Sequence, residues 1–153
     1  MAAADIFNLI QVNDAQITGG QPTAEQLQAV AAEGYTAVIN LFPFNPERSL
    51  PDEAGLVSSL GMAYDHIPVD WDNPTDADLA ACEQIMLKRS GERMLIHCAA
   101  NFRVTAFYSL YAQKHLGWSR GEAEALRDRI WMGSDYPIWR AFIARMEAEI
   151  GAA

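Results

Sequence analysis

At 153 residues and half apolar by count, the chain has the length and the core-forming capacity of a single domain, and a second full domain is excluded. Ten Gly and seven Pro exclude fibrous and disordered classes, and no apolar run is long enough to cross a membrane. The net charge of −9 is uneven: residues 1–87 carry thirteen acidic side chains and one basic side chain, Arg48, while residues 88–153 carry ten basic and seven acidic ones. Such a chain does not attract nucleic acid or an anionic membrane by bulk electrostatics, so an anion site has to be local and is expected in the second half. The opening MAAADIFNLI, with Asp5 and no basic cluster, is a poor secretory signal. Two cysteines, Cys82 and Cys98, make no disulfide framework, and a cytoplasmic location is expected.

In chain order, AQIT (15–18) reads as a short strand entering the turn GGQP, where the pair Gly19–Gly20 is expected to make a tight turn. Thr23 and Gln26 form a capping box for a helix that stops at Gly34. TAVINL (36–41) is a buried strand, a short helix covers 52–60, and MAYDHIPV (62–69) is a second buried strand. Thr75 and Asp78 open a helix with Leu79, Cys82 and Met86 on one face, which assigns Cys82 to the core. RMLIH (93–97) is a third strand, followed by a helix over 103–116. A capping box at Ser119 and Glu122 starts the next helix, and Pro137 begins the last. Strands alternating with helices predict an α/β fold: a mostly parallel sheet of about four or five strands with helices on both faces. Ligands of such sheets bind beyond the carboxyl ends of the strands.

That places attention on LIHCAANFRVTAF. A strand ends at His97, Cys98 opens the loop, and Arg103 stands where a helix begins. Unpaired amides at a helix start form an anion nest, where a thiolate is favoured over a thiol, and the planar fork of Arg suits a tetrahedral oxyanion. Cys98 is therefore the candidate nucleophile. His97 reads as a buried residue that orients the loop. Three scattered His make a zinc site improbable, and no metal or cofactor is needed. Trp118, Trp131 and Trp139 read as packing, and Arg48 as a surface ion pair or a substrate contact.

This His-Cys…Arg loop between strand and helix resembles the cysteine-based protein tyrosine and dual-specificity phosphatases. The wider pattern ITGGQPT…GYTAVINL…YDHIPVDWDNPT…LIHCAANFR, over roughly residues 15–145, resembles a bacterial dual-specificity-phosphatase-like family known from a fusion to a β-lactamase-type hydrolase. The resemblance implies a phosphocysteine on Cys98, with the phosphoryl group held by Arg103 and by Ala99, Ala100, Asn101, Phe102 and Val104. It also implies a general acid in the loop DWDNP; of the two carboxylates there, Asp72, further out on the loop and next to Asn73-Pro74, is preferred to Asp70, and Trp71 between them is read as a wall for an apolar substrate group. The substrate is then a phosphorylated protein or a small phosphate monoester. One departure stands out: four residues separate Cys98 from Arg103, where those phosphatases have five. The hydroxyl that follows their Arg is replaced by Val104, with Thr105 as a stand-in. The four-residue count is that of rhodanese-type sulfurtransferases, which keeps a Cys98 persulfide as an alternative, beside a phosphate-binding module with weak turnover. Arsenate reduction, which would need a second thiol near Cys98, is a remote third.

Overall fold

A computed structural model describes residues 2–152. Its sheet has five strands: β1 (Ile10–Gln11), β2 (Gln16–Gly19), β3 (Ala37–Asn40), β4 (Ala63–His66) and β5 (Met94–His97). The helices are α1 (Ala24–Ala32), α2 (Glu53–Ser59), α3 (Asp76–Lys88), α4 (Phe102–His115), α5 (Arg120–Trp131) and α6 (Pro137–Ala152). The strand order is β1-β2-β5-β3-β4; β1 runs antiparallel to β2 and every other pair is parallel.

Period-two alternation splits the strand residues between two cores. Ala37, Ile39, Met94 and Ile96 face a large cluster with residues of α3, α4, α5 and α6. Ile17, Val38 and Leu95 face a smaller one with Leu27, Val30 and Val57 of α1 and α2. Helix α4 lies deepest, buried without interruption from Arg103 to Ala112, so its sequence is apolar nearly all round.

The capping boxes at Thr23 and Ser119, and the Thr75 cap, form as their sequences require. MAYDHIPV forms a strand, but not a buried one: β4 is the sheet edge, and Ala63, Tyr64 and Asp65 are only half-buried. Edge position leaves one side unpaired, which the β-branched-poor composition of AYDH accommodates. Strand β1 has no sequence signal because two residues are too few to show a period. None of the described helices is long and apolar enough to cross a membrane.

Strand β5 was inserted last, between β2 and β3, so its carboxyl end is flanked by the loops that follow both neighbours. This is the point of the sheet where three strand-to-helix connections converge, and Cys98 opens the middle one.

Candidate active site

The loop Cys98–Asn101 is fixed from both sides. The Cys98 amide donates to the Gly19 carbonyl at 3.2 Å, and the Ala99 carbonyl accepts from the Gln21 amide at 3.0 Å. Asn8 Nδ2 donates to the Ala100 carbonyl at 3.1 Å, while Asn101 Nδ2 donates to the Asn8 carbonyl and to Thr18 Oγ1 at 2.8 and 3.0 Å. Asn101 closes the short loop in the left-handed region (φ 71°), a conformation Asn tolerates. Its side chain is thereby turned away from α4 and makes no capping bond. The first-turn amides of α4 are left without a side-chain cap, available to an anion.

Gly19 and Gly20 serve this arrangement by close approach rather than by a tight turn, since neither has a positive φ. A Cβ on Gly20 would lie 2.7 Å from the Ala99 carbonyl oxygen and 3.0 Å from the Phe7 ring; one on Gly19 would lie 2.9 Å from Ile6. We expect Gly20→Ala to cost about 2 kcal/mol of stability and to displace the loop, read as a lower Tm together with weaker vanadate binding. An unchanged vanadate affinity would show that the loop does not depend on this contact.

His97 is fully buried, and its Nε2 lies 2.6 Å from Glu53 Oε2. Gln21 Nε2 donates to the other Glu53 oxygen at 2.8 Å. Burial alone would push the Glu53 carboxyl up; the hydrogen bond and charge of His97, the Gln21 bond and the His66 charge together hold it below its ordinary value. Glu53 escaped notice in the sequence because it opens a short helix that reads as a surface element. The only available signal was a carboxylate on the connection after β3, next to the strand that ends in His97.

The Cys98 thiol is fully covered, with the Arg103 guanidinium beside it. Arg103 is itself buried, its Nε donating to the Val69 carbonyl at 2.9 Å and its guanidinium packed on the rings of Trp71 (5.2 Å) and Phe42 (5.5 Å). The guanidinium also makes a side-chain hydrogen bond to Cys98. Burial lowers the Arg103 pKa, Cys98 and Asp70 oppose that, and Arg48 adds to it; the group stays a cation because a guanidinium does not deprotonate in proteins.

Two clefts meet at the Trp71–Arg103 wall. One, of about 440 Å³, is lined by Phe42, Phe44, Asn45, Asp70, Trp71 and Arg103 among others. The second, of about 210 Å³, is lined by Trp71, Ala99, Ala100, Phe102, Arg103 and Tyr136. Of the residues expected to hold the phosphoryl group, Ala99, Ala100, Phe102 and Arg103 thus border open space. The side chains of Asn101 and Val104 do not: Asn101 braces the loop and Val104 is packed in the large core, so both can offer a ligand only backbone. Asp70 borders the larger cleft on the Arg103 side, and its Oδ1 accepts from the Asp72 amide at 2.9 Å. Asp72, favoured from sequence, is exposed and lines neither cleft.

Trp71 is the hub of an aromatic cluster with Phe102, Trp131, Tyr136 and Trp139, and Trp139 Nε1 donates to its carbonyl at 2.8 Å. Thr105 does not stand in for the missing hydroxyl. Its proton goes to the Asn101 and Phe102 carbonyls, and its oxygen accepts from Trp131 Nε1 at 3.0 Å. Cys82 is core: its sulfur packs on Met86, and burial, with the charge of Glu83, pushes the thiol up to about 12. Arg48 makes no ion pair among the described residues and instead lies over Phe42 at 5.7 Å. Nor do those residues include a group of three or more His, Cys, Asp or Glu arranged to hold a metal ion.

No family model matches the chain. Among curated proteins, it is 29% identical over 123 residues to a beta-lactamase hydrolase-like protein of Xylella fastidiosa (strain Temecula1 / ATCC 700964). That match covers 78% of this chain and 28% of the relative, so the chain spans little more than a quarter of the relative's length. Among solved structures, Tk-PTP shares the fold at a TM-score of 0.80 and 22% identity, over 95% of this chain and 98% of that one. A phosphatase-type protein of the family DUF442 from Shewanella putrefaciens CN-32 superimposes at a TM-score of 0.86 with 32% identity, over 96% of this chain and 95% of that one. The protein belongs to this DUF442 family and shares its fold with Tk-PTP.

Proposed function

We propose that the protein hydrolyses phosphate monoesters through a covalent phosphocysteine on Cys98. The observation that carries this reading is the pairing of the Cys98 thiol with the buried Arg103 guanidinium at an uncapped helix start. The phosphoryl oxygens occupy the amides of the loop and the first turn of α4, and the Arg103 guanidinium completes the cradle. The Cys98 thiolate attacks phosphorus: the S–P bond forms, the ester P–O bond breaks, and the leaving oxygen takes a proton from a loop carboxylic acid. A water then gives its proton to that carboxylate and its oxygen to phosphorus. The S–P bond breaks, releasing inorganic phosphate and restoring the thiolate.

The position of Asp70 at the larger cleft, near Arg103, supports Asp70 over Asp72 as the acid. Its bond to the Asp72 amide fixes the rotamer, so Asp72 acts as scaffold through its backbone. Aryl phosphate hydrolysis without metal tests the whole reading. Asp70→Asn is expected to lower kcat about 100-fold and to flatten the limb of the pH–rate profile that reports the acid, while Asp72→Asn keeps both limbs. The reverse pattern would return the role to Asp72, and two unaltered profiles would remove the acid from this loop.

The complete burial of Cys98 favours a second reading, a phosphate-binding module with little turnover. Tight vanadate or phosphate binding with no phosphate release would establish it.

A further inference from the structure

Arg48 is the single basic residue among the first 87, and the structure does not use it as such residues are normally used. No carboxylate pairs with it among the described residues, although thirteen lie in the same half of the chain. Its turn is nonetheless well organised. Asn45 Oδ1 accepts from the amides of Glu47 and Arg48 at 2.9 and 3.1 Å, and Ser49 Oγ accepts from the Asn45 amide at 2.9 Å.

The side chain crosses the face of Phe42, the ring on which Arg103 also rests, at 5.7 and 5.5 Å respectively. Phe42 is fixed in turn: its amide donates to Asn40 Oδ1 at 2.8 Å, and its carbonyl lies 2.7 Å from His66 Nε2. Two cations therefore share one ring, and the Arg48 charge raises the cost of the Arg103 charge. Cys98 and Asp70 favour the charge of Arg103, whereas Arg48 has no carboxylate partner among the described residues, so an anion bound there supplies the charge it lacks.

Resting on the phosphatase reading above, we infer that Arg48 is a specificity-determining residue that binds a second anionic group of the substrate, so that the preferred substrate is a small phosphate monoester bearing a second phosphate or a carboxylate. The reacting phosphoryl group lies with Arg103 and Cys98, and the second anion lies across Phe42 on Arg48. The substrate body occupies the cleft lined by Phe42, Phe44 and Asn45, and Arg48, exposed and outside that lining, takes the second anion beyond the Phe42 ring. Both guanidinium carbons lie within 5.7 Å of the centre of one ring, a closeness that suits a compact molecule. The net −12 of the first half opposes a long acidic peptide, while a compact dianion meets its compensating charge at the site itself.

Calorimetric titration tests this without turnover. The probes are phenylphosphonate, 1,3-phenylenebis(phosphonate) and 3-carboxyphenylphosphonate, with the wild-type protein, Arg48→Gln and Arg48→Glu. Wild-type protein is expected to bind at least one two-anion probe about five times more tightly than phenylphosphonate at low ionic strength, and the advantage should shrink in high salt. Arg48→Gln should bring that ratio to about one and Arg48→Glu below one. The probe with the larger wild-type ratio names the second group. A wild-type ratio of one for both probes, or a ratio that Arg48→Gln leaves unchanged, overturns the inference and leaves the phosphate site standing. If the wild-type protein does not bind phenylphosphonate at all, the phosphate reading fails, and this inference fails with it.

Discussion

Cys98→Ser is expected to abolish metal-free phosphate release from an aryl phosphate, by at least about 1,000-fold in kcat, while leaving the fold intact. Serine replaces sulfur with oxygen at nearly constant volume in a fully buried position, and the backbone bond from Cys98 to Gly19 is unaffected. What disappears is the sulfur nucleophile beside a fixed guanidinium. Vanadate should block wild-type turnover by occupying the same cradle, and Cys98→Ser should still bind inorganic phosphate, because Arg103 and the loop amides remain. A parallel assay of thiosulfate with cyanide separates the chemistries. Sulfur transfer that depends on Cys98, with no phosphate release, would establish the persulfide alternative suggested by the four-residue spacing. Phosphate release that survives Cys98→Ser would remove the covalent mechanism.

Glu53→Ala is the change with the largest expected effect on stability. It leaves the imidazole of His97 and the Gln21 amide without their buried acceptor and opens a void behind the loop. Removing one member of a buried hydrogen-bonded pair costs about 3 kcal/mol, or about 10 °C in Tm for a chain of this length. The pH dependence has a definite sign. The folded pKa of Glu53 is depressed, so its contribution is fully present above the unfolded carboxyl value and is lost as pH falls through the folded one. Wild-type and Glu53→Ala stabilities, measured by urea unfolding, should therefore differ most near neutral pH and converge in acid below the ordinary carboxyl range. A difference independent of pH would show that Glu53 stabilises by packing alone. Because His97 precedes Cys98, the variant should also lose activity in conditions where it remains folded.

Much of the fold was legible because its signals are local. Thr23, Thr75 and Ser119 cap helices through side chains three residues from the amides they satisfy, and the near-continuous apolar runs in Ala37–Asn40 and Met94–His97 are contained in four residues each. The burial of β4 was misread because edge and centre differ only in what lies alongside, and that depends on strand order. The Gly19–Gly20 pair was misread for a related reason. Glycine required by a positive φ and glycine required by a neighbouring backbone look the same in one dimension, and the neighbour here is Ala99, nearly eighty residues away.

For the site, the sequence alone placed Cys98 and Arg103 within one strand-to-helix turn; the structure sets the Arg103 guanidinium beside the Cys98 thiol. How Asp70 and Asp72 sit lay beyond the sequence, since two carboxylates so close in one loop differ only in direction; in the structure Asp70 lines the larger cleft and its Oδ1 accepts from the Asp72 amide. Glu53 behind His97, the Val69 carbonyl on Arg103, and Arg48 on the face of Phe42 were likewise decided only by tertiary structure. Each joins groups more than five residues apart; the strand order β5-β3-β4 sets the loops carrying Glu53 and Val69 beside the one carrying Cys98 and Arg103, while Arg48 and Phe42 meet within the single connection that follows β3.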